Sequence, residues 1–485
     1  MQRLTDDYQT NVELLSRRLR IEKSFDLIRR SLSVGEDELT LFYIDGFVKD
    51  GVTLRLMQFY ATQKGLGHGP DAADRFARDG VPYVEVDVSR DLETILTMIL
   101  SGATVMLGST FGDKAIVVDT RSYPARSTEE PQSDKVMQGA RDGFVETLIF
   151  NTALIRRRIR DPRLVMQYLC LGGSSATDVV VCYMEEKADP RYVERITRLL
   201  KGLKPDSLTL GYESLAELLV PRKWYNPFPK IRTTERPDCA AAHLVEGSVL
   251  VLCDTSPQVM ILPTSIFDFL QETEDFYLPP MTGSYLRLVR LATFLLALVL
   301  TPTWYLLTRY PSILPPALSF VIPSDPGTLP LLLQLFLVEF AIDGLKLASM
   351  NTPDLLANSL SVIGGLILGD FAVTIGWLSP DVILYMAIVA IAGFTQQNNE
   401  LGYAFKFLRM LTLVLTAVFG WGGYLVGLLL VPILVATNVT VSGTKSYLYP
   451  LIPFNGGALL RLLLRLPKRR EKASKSEKQT AFEEF

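Results

Sequence analysis

The rhythm of apolar and polar positions changes near residue 286. Upstream, apolar runs of strand length alternate with stretches of helical periodicity. Strand-like segments are readable at 41–47, 81–86, 103–108, 114–119, 178–184, 248–253 and 258–262. An amphipathic run from Val52 to Thr62 predicts one of the intervening helices. This is an α/β pattern. Two parts of it look alike: a helix then LSGATVMLGSTFGDKAIVVDT at 100–120, and a helix then VEGSVLVLCDTSPQVMILPT at 245–264, align with Gly102 opposite Gly247. Upstream of each, YIDGF at 43–47 and CYMEE at 182–186 close a strand that leads into a helix. The expectation is two related α/β subdomains, at 36–130 and 161–285. A helical segment at 1–35 precedes them, and a long connecting helix at 131–160 joins them.

Downstream, five apolar segments stand at about 288–308, 329–348, 356–377, 381–395 and 408–437. Twenty apolar residues rising about 1.5 Å each match a hydrocarbon core of about 30 Å. Residues 286–466 therefore read as an all-α polytopic membrane domain. The last segment is long enough to bend at Gly420, Gly422 and Gly423 into two pieces, which gives four to six crossings. The proline-rich stretch at 310–330 cannot be a regular helix and reads as an outer loop or a re-entrant piece.

Charge sharpens the division. Residues 1–286 carry 75 of the 101 Asp, Glu, Lys and Arg, whereas 287–467 carry only 16. Arg287 and Arg290 precede the first apolar segment, which by the positive-inside rule starts in the cytosol. Lys346, Lys406 and Arg409 favour the same side, as do Lys468, Arg469, Arg470 and Lys472 of the charged tail at 467–485. An even number of crossings satisfies all of them. The opening thirty residues are charged and lack the apolar core of a signal peptide, so the N-terminal half is expected to be cytosolic.

Ionisable residues inside the apolar runs carry the sharpest chemistry. Glu339, Asp343 and Asp370 occupy positions where a charge costs at least ~2.5 kcal/mol and is kept beside a partner or a water-filled path. They point to an ion route, or to a structural pair such as Asp343 with Lys346 one turn away. In the third segment, Asp354, Asn358, Val362, Gly365 and Gly369 fall on one helical stripe. That stripe is a candidate pore lining, with Val362 as the gate. Its alternative is close helix packing through Gly364, Gly365 and Gly369.

Enzymatic chemistry is thin. Only His68 and His243 are present, and Cys170, Cys182, Cys239 and Cys253 lack metal spacing and read as reduced core thiols. The loop KGLGHGP at 64–70 lacks the Gly-Lys-Ser/Thr ending that cradles phosphates, and GGSSAT at 172–177 reads as a turn. No catalytic group, cofactor or metal is expected, and a net charge of −3 gives no reason to expect nucleic acid. Arg156, Arg157, Arg158 and Arg160 form a basic run that would touch lipid headgroups, touch a neighbouring subunit, or lie solvated.

Three long stretches carry a family resemblance: 129–159 (EEPQSDKVMQGARDGFVETLIFNTALIRRRI), 234–269 (TERPDCAAAHLVEGSVLVLCDTSPQVMILPTSIFDF) and IGGLILGD at 363–370. They resemble the GerA-type A subunits of spore germinant receptors, and the resemblance covers nearly the whole chain. DTSP at 254–257 and ELGYAFKFLRM at 400–410 look more like the stage V sporulation AF branch, and EFAIDGLKLAS at 339–349 departs from the receptor pattern. The resemblance implies a multi-pass protein of the spore inner membrane that assembles as a homo-oligomeric ring of five copies and conducts cations early in germination. Its implied partners are either receptor B and C subunits or, for the AF branch, a small membrane protein. A non-conducting scaffold for other germination proteins is the alternative of a different class.

Overall fold

The computed structural model describes residues 3–123, 139–220, 224–351, 371–396, 398–438, 441 and 446–465. Its N-terminal region holds two five-stranded antiparallel sheets with the same strand order. In the first, β1 (Leu27–Val34), β2 (Asp37–Ile44), β3 (Val86–Ser89), β4 (Thr104–Gly108) and β5 (Ala115–Val118) lie in the order β1-β2-β4-β5-β3. In the second, β6 (Leu164–Leu171), β7 (Thr177–Met184), β8 (Arg232–Thr234), β9 (Val249–Cys253) and β10 (Val259–Leu262) repeat it as β6-β7-β9-β10-β8.

Strand alternation gives each sheet two apolar faces, and helices cover both. Phe42, Ile44, Val105 and Leu107 lie under α1 (Tyr8–Leu19), and Leu39, Leu41, Met106 and Ile116 under α2 (Asp50–Thr62), with α3 (Leu92–Leu100) beside α1. The second sheet repeats the scheme. Val180, Cys182, Leu250 and Leu252 face α4 (Leu148–Arg158), and Val179, Val181, Val249 and Val251 face α5 (Pro190–Gly202) and α6 (Tyr212–Leu219). Helix α7 (Pro237–Val245) completes the α4 face.

The repetition reaches single hydrogen bonds. Asn11 in α1 clamps the chain at Thr5 by accepting from its N–H at 2.8 Å and donating to its carbonyl at 2.7 Å. Asn151 in α4 clamps Val145 in the same way, at 2.8 and 2.6 Å. Gly102 (φ 104°) and Gly247 (φ 95°) each turn the chain out of a helix and into a strand through a backbone conformation that side chains resist.

The repeats are therefore longer than the strand pattern predicts. The segment 1–35 holds β1 as well as α1, and of the helix expected over 131–160 the described residues, from 139 on, hold only α4, because the Asn151 clamp keeps the chain at Val145 extended before it. Both α1 and α4 are the opening helices of their repeats. The unpredicted strands β1, β6 and β8 lie at sheet edges, where the pattern is broken by polar residues such as Arg29, Arg30, Gln167 and Arg232.

One buried ion pair joins the two repeats. Arg156 projects from α4 and is completely buried, with its Nε 2.7 Å from Asp26 Oδ2 and its Nη2 3.1 Å from Asp26 Oδ1. It also donates to the carbonyls of Asp161 and Leu164. Ser24 Oγ donates to Asp26 at 2.7 Å and accepts from the Met166 N–H of β6. At the matching position of α1, Ser16 bonds to its own helix at Val12 O, and before β6 Asp161 and Arg163 pair with each other at 2.7 Å. Arg156 thus takes none of the three roles left open for its basic run, being neither a lipid contact, nor a contact to a neighbouring subunit, nor solvated. Arg157 stacks 4.4 Å from the Tyr123 ring centroid, Arg158 pairs with Asp142, and Arg160 donates to Tyr123 Oη, so these three also find partners within the chain.

The thiols also depart in part from expectation. Cys182, Cys239 and Cys253 are buried, but Cys170 is exposed on edge strand β6. Burial raises the Cys182 thiol pKa and pushes that of Cys253 up to about 12.

The C-terminal region is helical: α8 (Pro280–Arg309), α9 (Leu331–Asn351), α10 (Pro380–Phe394), α11 (Asn399–Phe419), α12 (Trp421–Ala436) and α13 (Gly456–Leu463). Helices α8 and α11 are long and apolar enough to cross a membrane. Large apolar side chains stand exposed on this region, among them Phe340, Ile391, Val418, Leu425 and Leu429. The apolar run at 408–437 bends at Gly420, whose φ of 60° reverses the chain between α11 and α12. The two helices approach so closely that a Cβ on Gly423 would lie 1.9 Å from the Leu415 carbonyl oxygen. Gly422 has open space around it and is not needed for the turn. The proline-rich stretch forms short 3₁₀ turns at Pro311–Ile313 and Pro316–Val321, held by a bond from Trp304 Nε1 to Val321 O at 2.8 Å.

Two outcomes test this fold. Asp26→Asn and Arg156→Met each strand a buried partner and are expected to cost about 3–5 kcal/mol in denaturant unfolding of the full chain. The apolar double replacement Asp26→Leu with Arg156→Met should recover most of that loss; additive losses would mean that the pair does not join the repeats. Under native conditions at pH 8, a thiol reagent is expected to modify Cys170 quickly and the other three only after unfolding, read by mass spectrometry of digested protein.

Candidate functional site

Helix α9 carries Glu339 and Asp343 one turn apart, and α11 carries Lys406 and Arg409 at a matching spacing. Packing brings the two pairs together. Arg409 Nη2 donates to Glu339 Oε2 at 2.6 Å, and its Nη1 donates to the Ala297 carbonyl of α8 at 2.8 Å. Lys406 Nζ lies 2.9 Å from Glu339 Oε1 and also bonds to the Asp343 carboxylate. Glu339 and Arg409 are only 7% and 4% exposed. Beside them Phe294 and Phe405 pack edge to face with ring centroids 4.0 Å apart. Four charges thus tie α9 to α11, and one of them also holds α8.

Asp343 does not pair with Lys346, the partner its spacing predicts. The ammonium of Lys406 reaches it from the neighbouring helix, while Lys346 Nζ turns to Asn399 Oδ1 at 3.2 Å and lies 5.0 Å from the Tyr403 ring centroid. A cavity of about 90 Å³ adjoins the cluster, and Glu339, Asp343, Lys346, Lys406 and Arg409 all line it. Asp354, Asn358, Val362, Gly365 and Gly369 of the predicted stripe, and Asp370, lie outside the described residues.

Lys406 and Arg409 are the residues that sequence reasoning undervalued, because they read as markers of membrane side. Their spacing along one helix face, complementary to that of Glu339 and Asp343, was the available signal. Arg287 and Arg290 were read in the same way. They are buried in α8 and bind acids of the preceding region: Arg287 Nε meets Asp275 Oδ2 at 3.1 Å, and Arg290 meets Asp275 at 3.0 Å and Glu272 at 2.6 Å.

Glu339→Gln leaves Arg409 and Lys406 without their shared counter-charge. Thermal unfolding of the detergent-solubilised full chain is expected to move to clearly lower temperature, by more than for Asp343→Asn, whose carboxylate is more exposed and has a single partner. Equal melting of wild type and Glu339→Gln would remove the cluster as the tie between α9 and α11.

Comparison with known proteins assigns the family. The Bacillus/Clostridium GerA spore germination protein family matches residues 14–477. Stage V sporulation protein AF of Bacillus subtilis is 36% identical over 460 residues, covering 94% of this chain and 92% of the relative. Spore germination protein KA of Bacillus subtilis is 26% identical over 470 residues, covering 94% and 85%. Among solved structures, the N-terminal domain of the A subunit of the Bacillus megaterium spore germinant receptor GerK3 aligns at 24% identity with a TM-score of 0.42, covering 54% of this chain and 96% of that one. With its family match spanning both the duplicated sheets and the helical region, this chain belongs to the GerA family of spore germination proteins.

Proposed function

We propose that this chain is a multi-pass protein of the spore inner membrane, with its N-terminal half in the cytosol, that assembles as a ring of five copies and conducts cations during germination. The observation that carries this reading is the Glu339–Arg409–Lys406–Asp343 cluster. Four ionised side chains among exposed apolar helix surfaces are costly, and such groups are kept where ions or protons pass. The 36% identity to stage V sporulation protein AF favours a role in triggering or amplifying ion release, with a small membrane protein as partner, over direct nutrient reception with B and C subunits. On this reading the helix that carries Asp354, Asn358, Val362, Gly365 and Gly369 lines the central path, and Val362 closes it by excluding water.

A second reading, a non-conducting scaffold for other germination proteins, draws on the complete pairing of both carboxylates within one chain. Conductance separates the two. Purified protein in planar bilayers, alone and with its co-expressed membrane partner, is expected to pass a cation current; silence in both preparations favours the scaffold. Val362→Ala is expected to raise the resting current and Val362→Phe to lower it. Equal, mild effects of both would move the path away from that stripe.

A further inference from the structure

The cavity beside the ion cluster holds more donors than its own residues can satisfy. Arg409 is almost wholly buried, and although its two terminal nitrogens are bound, its Nε finds no acceptor among the described residues. Gln396, in the turn between α10 and α11, lines the same cavity, and its buried Nε2 is likewise without an acceptor. Lys346 sits on the wall with an amide oxygen and an aromatic ring as its neighbours. The lining therefore carries three cations against the two carboxylates of Glu339 and Asp343, and both carboxylates are already taken by Lys406 and Arg409. An orphaned buried donor costs about 1–3 kcal/mol, and more when charged, so two of them around one space, with an unmatched cation, call for an acceptor that brings negative charge.

The geometry points to a binding site for a small oxyanion, a carboxylate or a phosphate, held by Arg409 Nε, Gln396 Nε2 and the Lys346 ammonium. A space of about 90 Å³ takes a group of this size together with water. A bound oxyanion would bridge α9, Gln396 and α11, so occupancy would stiffen the same joint that the Glu339–Arg409 pair closes. The inference stands apart from conduction, because it concerns the ligand chemistry of one chain and needs neither ring nor pore.

The test uses the full chain in zwitterionic detergent with sodium acetate and inorganic phosphate as probes, read by saturation-transfer NMR and thermal shift at constant ionic strength. Saturable binding is expected, weakened at least about tenfold in Gln396→Leu, which removes a donor to a charged group. Gln396→Glu should abolish it, and Lys346→Gln, a change at a partly exposed position, should weaken it with the fold intact. An anionic lipid headgroup presents the same oxyanion, so a second arm measures retention of phosphatidylglycerol by native mass spectrometry. Retention that falls in Gln396→Leu, without acetate or phosphate binding, assigns the site to lipid. If neither soluble anion nor lipid depends on Gln396 and Lys346, the cavity holds water alone and the inference fails, whatever current the protein passes in bilayers.

Discussion

An ionised side chain taken out of water has to meet its counter-charge, and three joints of this molecule are closed by that requirement. Arg156 and Asp26 join the two repeats, Arg287 and Arg290 join α8 to Asp275 and Glu272, and Arg409 with Lys406 joins α11 to α9. Such pairs add little net stability over well-packed apolar groups, whereas breaking one costs several kcal/mol. Their value here is geometric. Apolar packing alone tolerates sliding of one helix or sheet past another, but a guanidinium held by a carboxylate and one or more backbone carbonyls fits one register only.

The duplication was legible because its core strands lie in sheets buried on both faces and so read as short apolar runs, and because Gly102 and Gly247 mark the same left-handed turn. The edge strands β1 and β6 were not, since half of each faces solvent and Arg29 or Gln167 interrupts the pattern. In the helical region, the apolar segments other than that at 356–377, which lies mostly outside the described residues, and the Gly420 bend followed from apolar length and glycine placement. The ion cluster was only half legible. Spacing along a helix reveals which residues share a face, but not which other helix that face meets, so Asp343 was matched to Lys346 on its own helix while its partner was Lys406 on another.

The second repeat is also packed continuously onto the helical region. Asn226 Nδ2 bonds to the Leu434 carbonyl near the end of α12, Tyr447 Oη bonds to the Pro229 carbonyl, and Phe228 packs edge to face on Phe405 with centroids 5.6 Å apart. Phe405 precedes Lys406 in α11. The segment 226–229 is therefore in direct contact with the helix that carries the cluster, and a shift of the second repeat would be borne first by the aromatic pair and then by the charged residues beside it.

Tandem folds often extend, because whatever docks the second unit on the first can dock a third on the second. Here that possibility is closed on both sides. The docking arginine exists only in the second unit, since the first has Ser16 in its place, tied to its own helix. The acidic socket exists only in the first, since the corresponding turn before β6 has Asp161 already bound by Arg163. A plug on one copy and a socket on the other make a pair with no spare valence, so the chain's own halves find each other while neighbouring molecules are denied the same contact. Association between chains must then use different surfaces, and the duplication is finished at two.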